Sequence, residues 1–200
     1  MQILDPPAGS GLFLARDFLD AEACAAVRAE ARAAAGHPAP VYIEGAEGLV
    51  HEDVRKTSSL EVSAALVSDV ERRLLELRGE IGRRFGVGLG GCEPPQFLRY
   101  GVGDFFVRHQ DADSEQSEYE HLTVRKVSVV IFLNGAADAP GPETFGGGPL
   151  VIYRAGGDEG ARAFEVAGEP GLLVAFRADT VHEVAPVTRG ERFTVVSWFN

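Results

Sequence analysis

"QFLRYGVGDFFVRHQD", residues 96–111, decides the fold. Two short apolar runs are split by Gly-Val-Gly-Asp, and neither is long enough for a helix. They read as two strands joined by a turn. The second run ends in His109-Gln110-Asp111. In an extended chain, positions i and i+2 face the same side. His109 and Asp111 therefore either grip one small object between them or form a polar strand end entering a loop.

Downstream the same texture repeats. "KVSVVIFLN" (126–134), "GPLVIY" (148–153), "GLLVAF" (171–176), "HEVAPV" (182–187) and "RFTVVSWFN" (192–200) are short apolar runs separated by Gly, Pro and Asp. Closely spaced strands of this kind predict an antiparallel sandwich or barrel. Upstream of about residue 90 the pattern is helical. "FLDAEACAAVRAEARAAAG" (18–36) offers Asp20 as N-cap and Gly36 as stop. In residues 61–86, Leu66, Val70, Leu74, Leu77, Ile81 and Phe85 recur at spacings of three and four, which makes one apolar stripe on a helix. Residues 37–59 between them read as a loop or a short strand pair. The predicted fold is mainly β with N-terminal helices: a double-stranded jelly roll over about 94–200, supported by a helical region over about 1–90. One domain is expected, because the first ninety residues hold too few strands to close a core of their own.

Composition narrows the function. Two hundred residues suffice for a sizeable core, and hydrophobic content is 45%. No stretch approaches the ~18 apolar residues of a membrane span, and the N-terminus shows no secretory pattern. Cys24 and Cys92 form neither a disulfide framework nor a metal spacing. A cytoplasmic protein without membrane attachment is expected. The net charge of -11 disfavours a nucleic-acid partner.

A metal needs more than two protein ligands, and of the remaining histidines His182 stands out by context. It follows the strand "GLLVAF" and the turn "RADT", and Arg192 comes ten residues later inside an apolar strand. An arginine there must have a partner or be costly to bury. Thr194 shares its face, and a guanidinium with a hydroxyl beside it suits a carboxylate. Two histidines and one carboxylate make a facial triad with open positions, the ligand set of non-haem Fe(II) and oxygen chemistry.

These segments resemble the Fe(II)/2-oxoglutarate-dependent oxygenases, and among them the prolyl-4-hydroxylase-like branch, over about residues 94–200, with a weaker echo in "DFLDAEACAAV". The resemblance lies in "FLRYGVGDFFVRHQD", "VRKVSVVIFLN", "FGGGPLVIY" and "EPGLLVAFRADTVHEVAPVTRGERF". It implies a dioxygenase that hydroxylates a C–H bond, with Fe(II) on His109, Asp111 and His182, the 2-oxoglutarate tail on Arg192, O2 as oxidant, and ascorbate admitted as an accessory. Some relatives bind that tail with a tyrosine where this chain has Phe132, so Thr194 or Tyr100 is expected to supply the hydroxyl. Asp111 separates the chain from halogenating relatives, which carry a small residue there.

The expected substrate is a prolyl residue in a peptide or protein. A free amino acid or small metabolite is the alternative, and a non-catalytic jelly-roll metal module the reading from another class. The branch that demethylates nucleic acid carries an arginine where this chain has Trp198. Two polar loops, 41–59 and 112–125, are the expected substrate readers. Within them His121, Arg55 and Lys56 read as solvated residues, and Arg125 as a strut between loop and sheet. The oligomeric state is not legible.

Overall fold

A computed structural model describes residues 1–41, 48–112, 124–139, 141–153 and 163–200. In chain order the N-terminal part supplies β1 (Gln2–Leu4), β2 (Phe13–Arg16), helix α1 (Ala21–Ala33), β3 (Gly36–Pro38), β4 (Arg55–Lys56), β5 (Ser58–Leu60) and helix α2 (Ala64–Phe85). There follow β6 (Gln96–Tyr100), β7 (Phe105–His109), β8 (Val127–Phe132), β9 (Gly135–Ala136), β10 (Thr144–Gly147) and β11 (Leu150–Tyr153). The chain ends with β12 (Ala163–Val166), β13 (Leu173–Arg177), β14 (His182–Val184), β15 (Val187–Arg189) and β16 (Arg192–Phe199).

These strands build an eight-stranded sheet in the order β1-β2-β13-β8-β16-β6-β5-β3 and a five-stranded sheet in the order β12-β11-β14-β7-β4. A small third sheet, β15-β10-β9, joins them at one end. Pairing is antiparallel except between β9 and β10. This is the expected jelly roll, and β1, β2, β3 and β5, all from the first ninety residues, widen its larger sheet. The short runs at 2–4 and 13–16 carry too few residues to announce strands by alternation.

Side-chain parity divides the larger sheet into two faces. On β16, β8, β13 and β6, the odd-numbered Phe193, Val195, Val129, Ile131, Leu173, Ala175 and Phe97 pack with Val27, Leu74, Leu77 and Ile81 of the helices. The even-numbered Val130, Phe132, Val174, Phe176, Leu98 and Tyr100 point the other way and pack with Leu150, Ile152 and Val184 of the smaller sheet. Each fully buried large side chain contributes about 1.5–3 kcal/mol. The helices therefore hold the sheet from outside and leave its inner face to the site.

Both helices carry their own punctuation. Asp20 Oδ1 accepts from the Ala23 amide, and Ser63 Oγ from that of Leu66. The predicted stripe on α2 is buried at Val70, Leu74, Leu77 and Ile81 and partly buried at Leu66 and Phe85. Gly86 closes α2 with φ +67°, a left-handed cap that glycine takes without strain. Gly36 does not stop α1. That helix ends at Ala33, and Gly36 lies in β3, where an added Cβ would come within 3.2 Å of Leu60.

Candidate metal and carboxylate site

β7 ends at His109, and β14 begins at His182 directly opposite it in the antiparallel pair. Two distant pieces of sequence are thus brought face to face by one strand register. Asp111 follows β7, and its backbone N–H donates to the Ala178 carbonyl at 3.0 Å. Its carboxylate lies between the rings, 3.6 Å from His109 Nε2 and 3.5 Å from His182 Nε2. One ligand atom from each residue falls within a 4.8 Å group. Three ligand atoms grouped this closely could hold one small cation between them.

The rings are set for that task. His109 Nδ1 lies 2.8 Å from the Val107 carbonyl, and His182 Nδ1 lies 2.9 Å from that of Thr180. Those carbonyls can only accept, so each Nδ1 carries a proton there, which turns each Nε2 toward Asp111. Burial pushes the Asp111 carboxyl up, but His182 first, then His109 and Ser128, outweigh it and hold it well below the usual carboxylate range. Burial, then His109, pull His182 down to about 4 against the attraction of Asp111. At neutral pH the site presents an anion and an unprotonated His182, as a divalent cation requires.

A pH dependence follows for metal-free protein. Between the ordinary histidine value of 6.5 and about 4, the unfolded chain binds a proton at His182 that the folded chain refuses. Stability therefore falls as pH falls through that window, by on the order of 3 kcal/mol in all. Denaturant midpoints collected with chelator across this range will show the slope; a flat profile would mean that the fold protonates His182 freely.

Arg192 occupies the inner face of β16, opposite Tyr100 on β6. It is 1% exposed. Nη1 donates to Thr194 Oγ1 at 3.4 Å, while Nε and Nη2 are buried without a hydrogen-bond partner. The guanidinium lies 5.0 Å from the Tyr100 ring centre and 4.9 Å from that of Phe132. Burial, opposed by Tyr100, lowers its pKa to about 10, so it stays charged at neutral pH. A buried cation without an anion costs several kcal/mol. Two free donors in a fork between aromatic faces fit a carboxylate. Thr194 and Tyr100, the two hydroxyl candidates, both adjoin this guanidinium.

The remaining sequence expectations divide. His121 and most of the 112–125 loop lie outside the described residues. Lys56 is half-exposed, 3.7 Å from Asp104. Arg55 is not a solvated residue: Nη1 donates to the Pro40 carbonyl at 3.0 Å, Nε is buried, and the guanidinium lies 4.9 Å from the Phe106 ring centre. Phe106 in turn stacks on His109 at 3.5 Å. The pairing of β4 with β7 folds Arg55 inward, which its charge alone does not announce. Arg125 is a strut: it binds Glu93 through two hydrogen bonds and reaches the Asp111 carbonyl. Ser128, buried on the inner face of β8, is a residue that the sequence reading misses. Its hydroxyl favours the ionised Asp111 yet makes no well-formed hydrogen bond. An isolated serine in an apolar strand, inward by parity, is the signal that could have found it.

A family model described as the 2OG-Fe(II) oxygenase superfamily matches residues 95–200, a span that holds His109, Asp111, His182 and Arg192. The chain belongs to that superfamily. A PKHD-type hydroxylase of Beijerinckia indica is 36% identical over 106 residues, 52% of this chain and 42% of that protein. Another, of Nitrobacter winogradskyi, is 29% identical over 171 residues, 84% of this chain and 66% of that protein. The match thus spans less than half the length of the Beijerinckia relative. Among solved structures, a Pseudomonas putida prolyl-4-hydroxylase aligns with TM-score 0.70 and 27% identity, over 95% of this chain and 92% of that one. A Trichoplax adhaerens prolyl hydroxylase shares the fold, with TM-score 0.73 at 15% identity over 95% and 83% of the two chains. Iron(II), 2-oxoglutarate and dioxygen are the reagents of this superfamily, and the two halves of the site fit the first two. Among the described residues no helix is long and apolar enough to cross a membrane.

Gly148 bears on the oxygenase's carboxylate half. Its φ is +60°, and an added Cβ would stand 3.2 Å from Arg192 Cδ and 2.8 Å from Val187 Cγ2. Gly148→Ala is expected to displace the arginine stem and weaken 2-oxoglutarate binding about tenfold, roughly the loss of one hydrogen bond. Anaerobic calorimetric titration of the Mn(II)-loaded protein checks this. Gly103→Ala, also at positive φ but with open space around its Cβ, serves as the control for backbone strain.

Proposed function

We propose that this chain hydroxylates a prolyl residue in a peptide or protein, with His109, Asp111 and His182 holding Fe(II) and Arg192 holding the far carboxylate of 2-oxoglutarate. The observation that carries the reading is the buried Arg192 guanidinium, with two donors unpaired, on the inner face of the sheet that packs over the His-Asp-His group. A metal-binding jelly roll without a dicarboxylate co-substrate has no use for such a costly group. When bound, iron, 2-oxoglutarate and dioxygen together supply an oxidant that places one oxygen atom in a C–H bond, with succinate and CO2 released.

The protein's own part is placement. The two imidazoles present Nε2 lone pairs, Asp111 supplies the charge, and Arg192 fixes the distance at which a dicarboxylate can span to the metal. Thr194 assists at the tail as a hydroxyl acceptor and donor, and Tyr100 frames it, in place of a hydroxyl at Phe132. The aromatic walls keep water from the tail. We place residues 1–200 in one catalytic domain, since α1, α2 and the larger sheet share a core. Cys24 and Cys92 are free thiols, in keeping with a reducing, cytoplasmic setting.

Prolyl specificity is supported by the Pseudomonas prolyl-4-hydroxylase likeness, and hydroxylation by the PKHD-type hydroxylase relatives. The test is 2-oxoglutarate turnover by iron-loaded protein offered proline-containing peptide libraries. Succinate release coupled to one added oxygen, mapped to proline, is the expected result. Efficient coupling to free amino acids and to no peptide would replace this reading with a metabolite hydroxylase. No charge-transfer band on anaerobic addition of Fe(II) and 2-oxoglutarate would end the oxygenase reading for this site.

A further inference from the structure

Asp111 belongs to neither strand nor helix, yet among the described residues it carries the only anionic group between the two histidines. Its backbone is held on both sides. The N–H donates to Ala178, and the carbonyl accepts from Arg125 Nη1 at 3.3 Å. Arg125 is itself immobilised. Its side chain is 8% exposed, Nε and Nη2 donate to the two carboxylate oxygens of Glu93, and its guanidinium lies 3.8 Å from the Trp198 ring centre. Glu93 is anchored in turn. Its N–H donates to the Trp198 carbonyl at 2.8 Å, and its own carbonyl accepts from Ser197 Oγ at 2.7 Å. Arg125 and Glu93 both rest on β16, through Trp198 and Ser197, and the other end of that strand carries Arg192.

We propose that Arg125, locked by Glu93 and Trp198, is a positioning residue that fixes the main chain of Asp111 and so sets the affinity of the site for its metal. The proposal rests on Asp111 being a metal ligand. The physical reason is preorganisation. A ligand on an irregular segment loses backbone freedom when it binds, unless that freedom has already been removed. Outer partners of metal ligands typically govern metal affinity by about tenfold to a hundredfold. A fork-shaped guanidinium satisfies Glu93 with two donors and still has Nη1 left for Asp111, which an ammonium cannot match.

The test uses the full chain and Mn(II), with free Mn(II) read by electron paramagnetic resonance and 2-oxoglutarate binding read by calorimetry at saturating Mn(II). Arg125→Met is expected to raise the Mn(II) Kd at least about tenfold while leaving 2-oxoglutarate affinity within about twofold, because the Arg192 half is untouched. Arg125→Lys should fall between. Arg125→Met leaves the Glu93 carboxylate without its partner; should that variant fail to fold, the double variant Arg125→Met with Glu93→Gln removes the stranded charge and is read by the same criteria. Trp198 is the sole tryptophan of the chain, so its emission reports the clamp directly and should already differ between wild type and Arg125→Met without metal. A folded Arg125→Met protein that binds Mn(II) like wild type overturns the proposal. So do parallel losses of both affinities, which would mark a general structural role. His182→Ala distinguishes the deeper failure: if that variant also keeps full Mn(II) affinity, the ligand assignment itself is wrong and the clamp falls with it.

Discussion

Asp111→Ala is expected to leave a folded protein that retains no iron and turns over no 2-oxoglutarate. The separation of fold from function follows from where Asp111 stands. Its backbone hydrogen bond to Ala178 needs no side chain. The carboxylate faces the two imidazoles and Ser128, and His182 is already unprotonated at neutral pH, so removing the anion strands no cation at that residue. The cost to the metal-free fold should be about 1 kcal/mol. Metal affinity, by contrast, should lose one of the three proposed protein ligands and the only charge among them, an expected drop beyond about a hundredfold, the upper end of what removing an outer partner alone produces. His182→Ala has the same functional outcome at greater structural cost, about 2–3 kcal/mol, because the ring is buried and lies 4.7 Å from Phe176. Metal content after dialysis, thermal unfolding with chelator, and succinate release settle both. Full iron occupancy in a folded Asp111→Ala protein would remove Asp111 from the ligand set.

Arg192→Met should separate stability from binding in the opposite direction. In the metal-free protein the guanidinium is buried with two donors unsatisfied, so an unbranched, uncharged methionine relieves a standing desolvation cost. The variant is expected to be as stable as wild type or more so, by about 1–3 kcal/mol. Its KM for 2-oxoglutarate should rise about a hundredfold or more, since a buried carboxylate then meets no charge. Arg192→Lys restores charge without the fork and should recover only part. A thermal-shift titration shows both effects at once. At about a hundred times Kd, 2-oxoglutarate stabilises wild type by about 2.7 kcal/mol and leaves the methionine variant where it was. A methionine variant that is destabilised and still binds 2-oxoglutarate would make Arg192 a structural residue; Arg189 is exposed and would be the next candidate.

The parts of this site legible in the sequence are those whose chemistry is local. His109 and Asp111 sit two apart at a strand end, and the inward parity of Arg192 and Thr194 follows from alternation along one strand. The meeting of His182 with His109 depends on which strands pair, and spacing carries no information about that; only the ordered resemblance of several segments supplies it. The Glu93–Arg125–Trp198 cluster joins three segments through side chains, each of which reads as an ordinary charged or aromatic residue on its own. Arg55 eludes the sequence for the same reason: a two-residue strand has no periodicity, so its inward turn becomes visible only when β4 is laid beside β7. The helices are readable because caps and stripes are short-range, whereas β1 and β2 are hidden by their brevity.

The parity of the larger sheet has a consequence for how such a chain can change over generations. Positions 193 and 195 answer to the helices, while 192 and 194 face the opposite side of the sheet, toward the candidate site, and the two sets share a strand without sharing a compartment. Val195 pairs with Ile131 and its even neighbours Thr194 and Val196 with Phe132 and Val130, so the division runs unbroken across adjacent strands. On these strands, drift at odd positions can adjust heat tolerance while the inner face keeps its shape, and drift at even positions can retune the inner face while the helical scaffold stays in place. On β6, β8, β13 and β16 a mutant library can therefore be divided by odd and even residue number, one half screened for endurance and the other for altered binding.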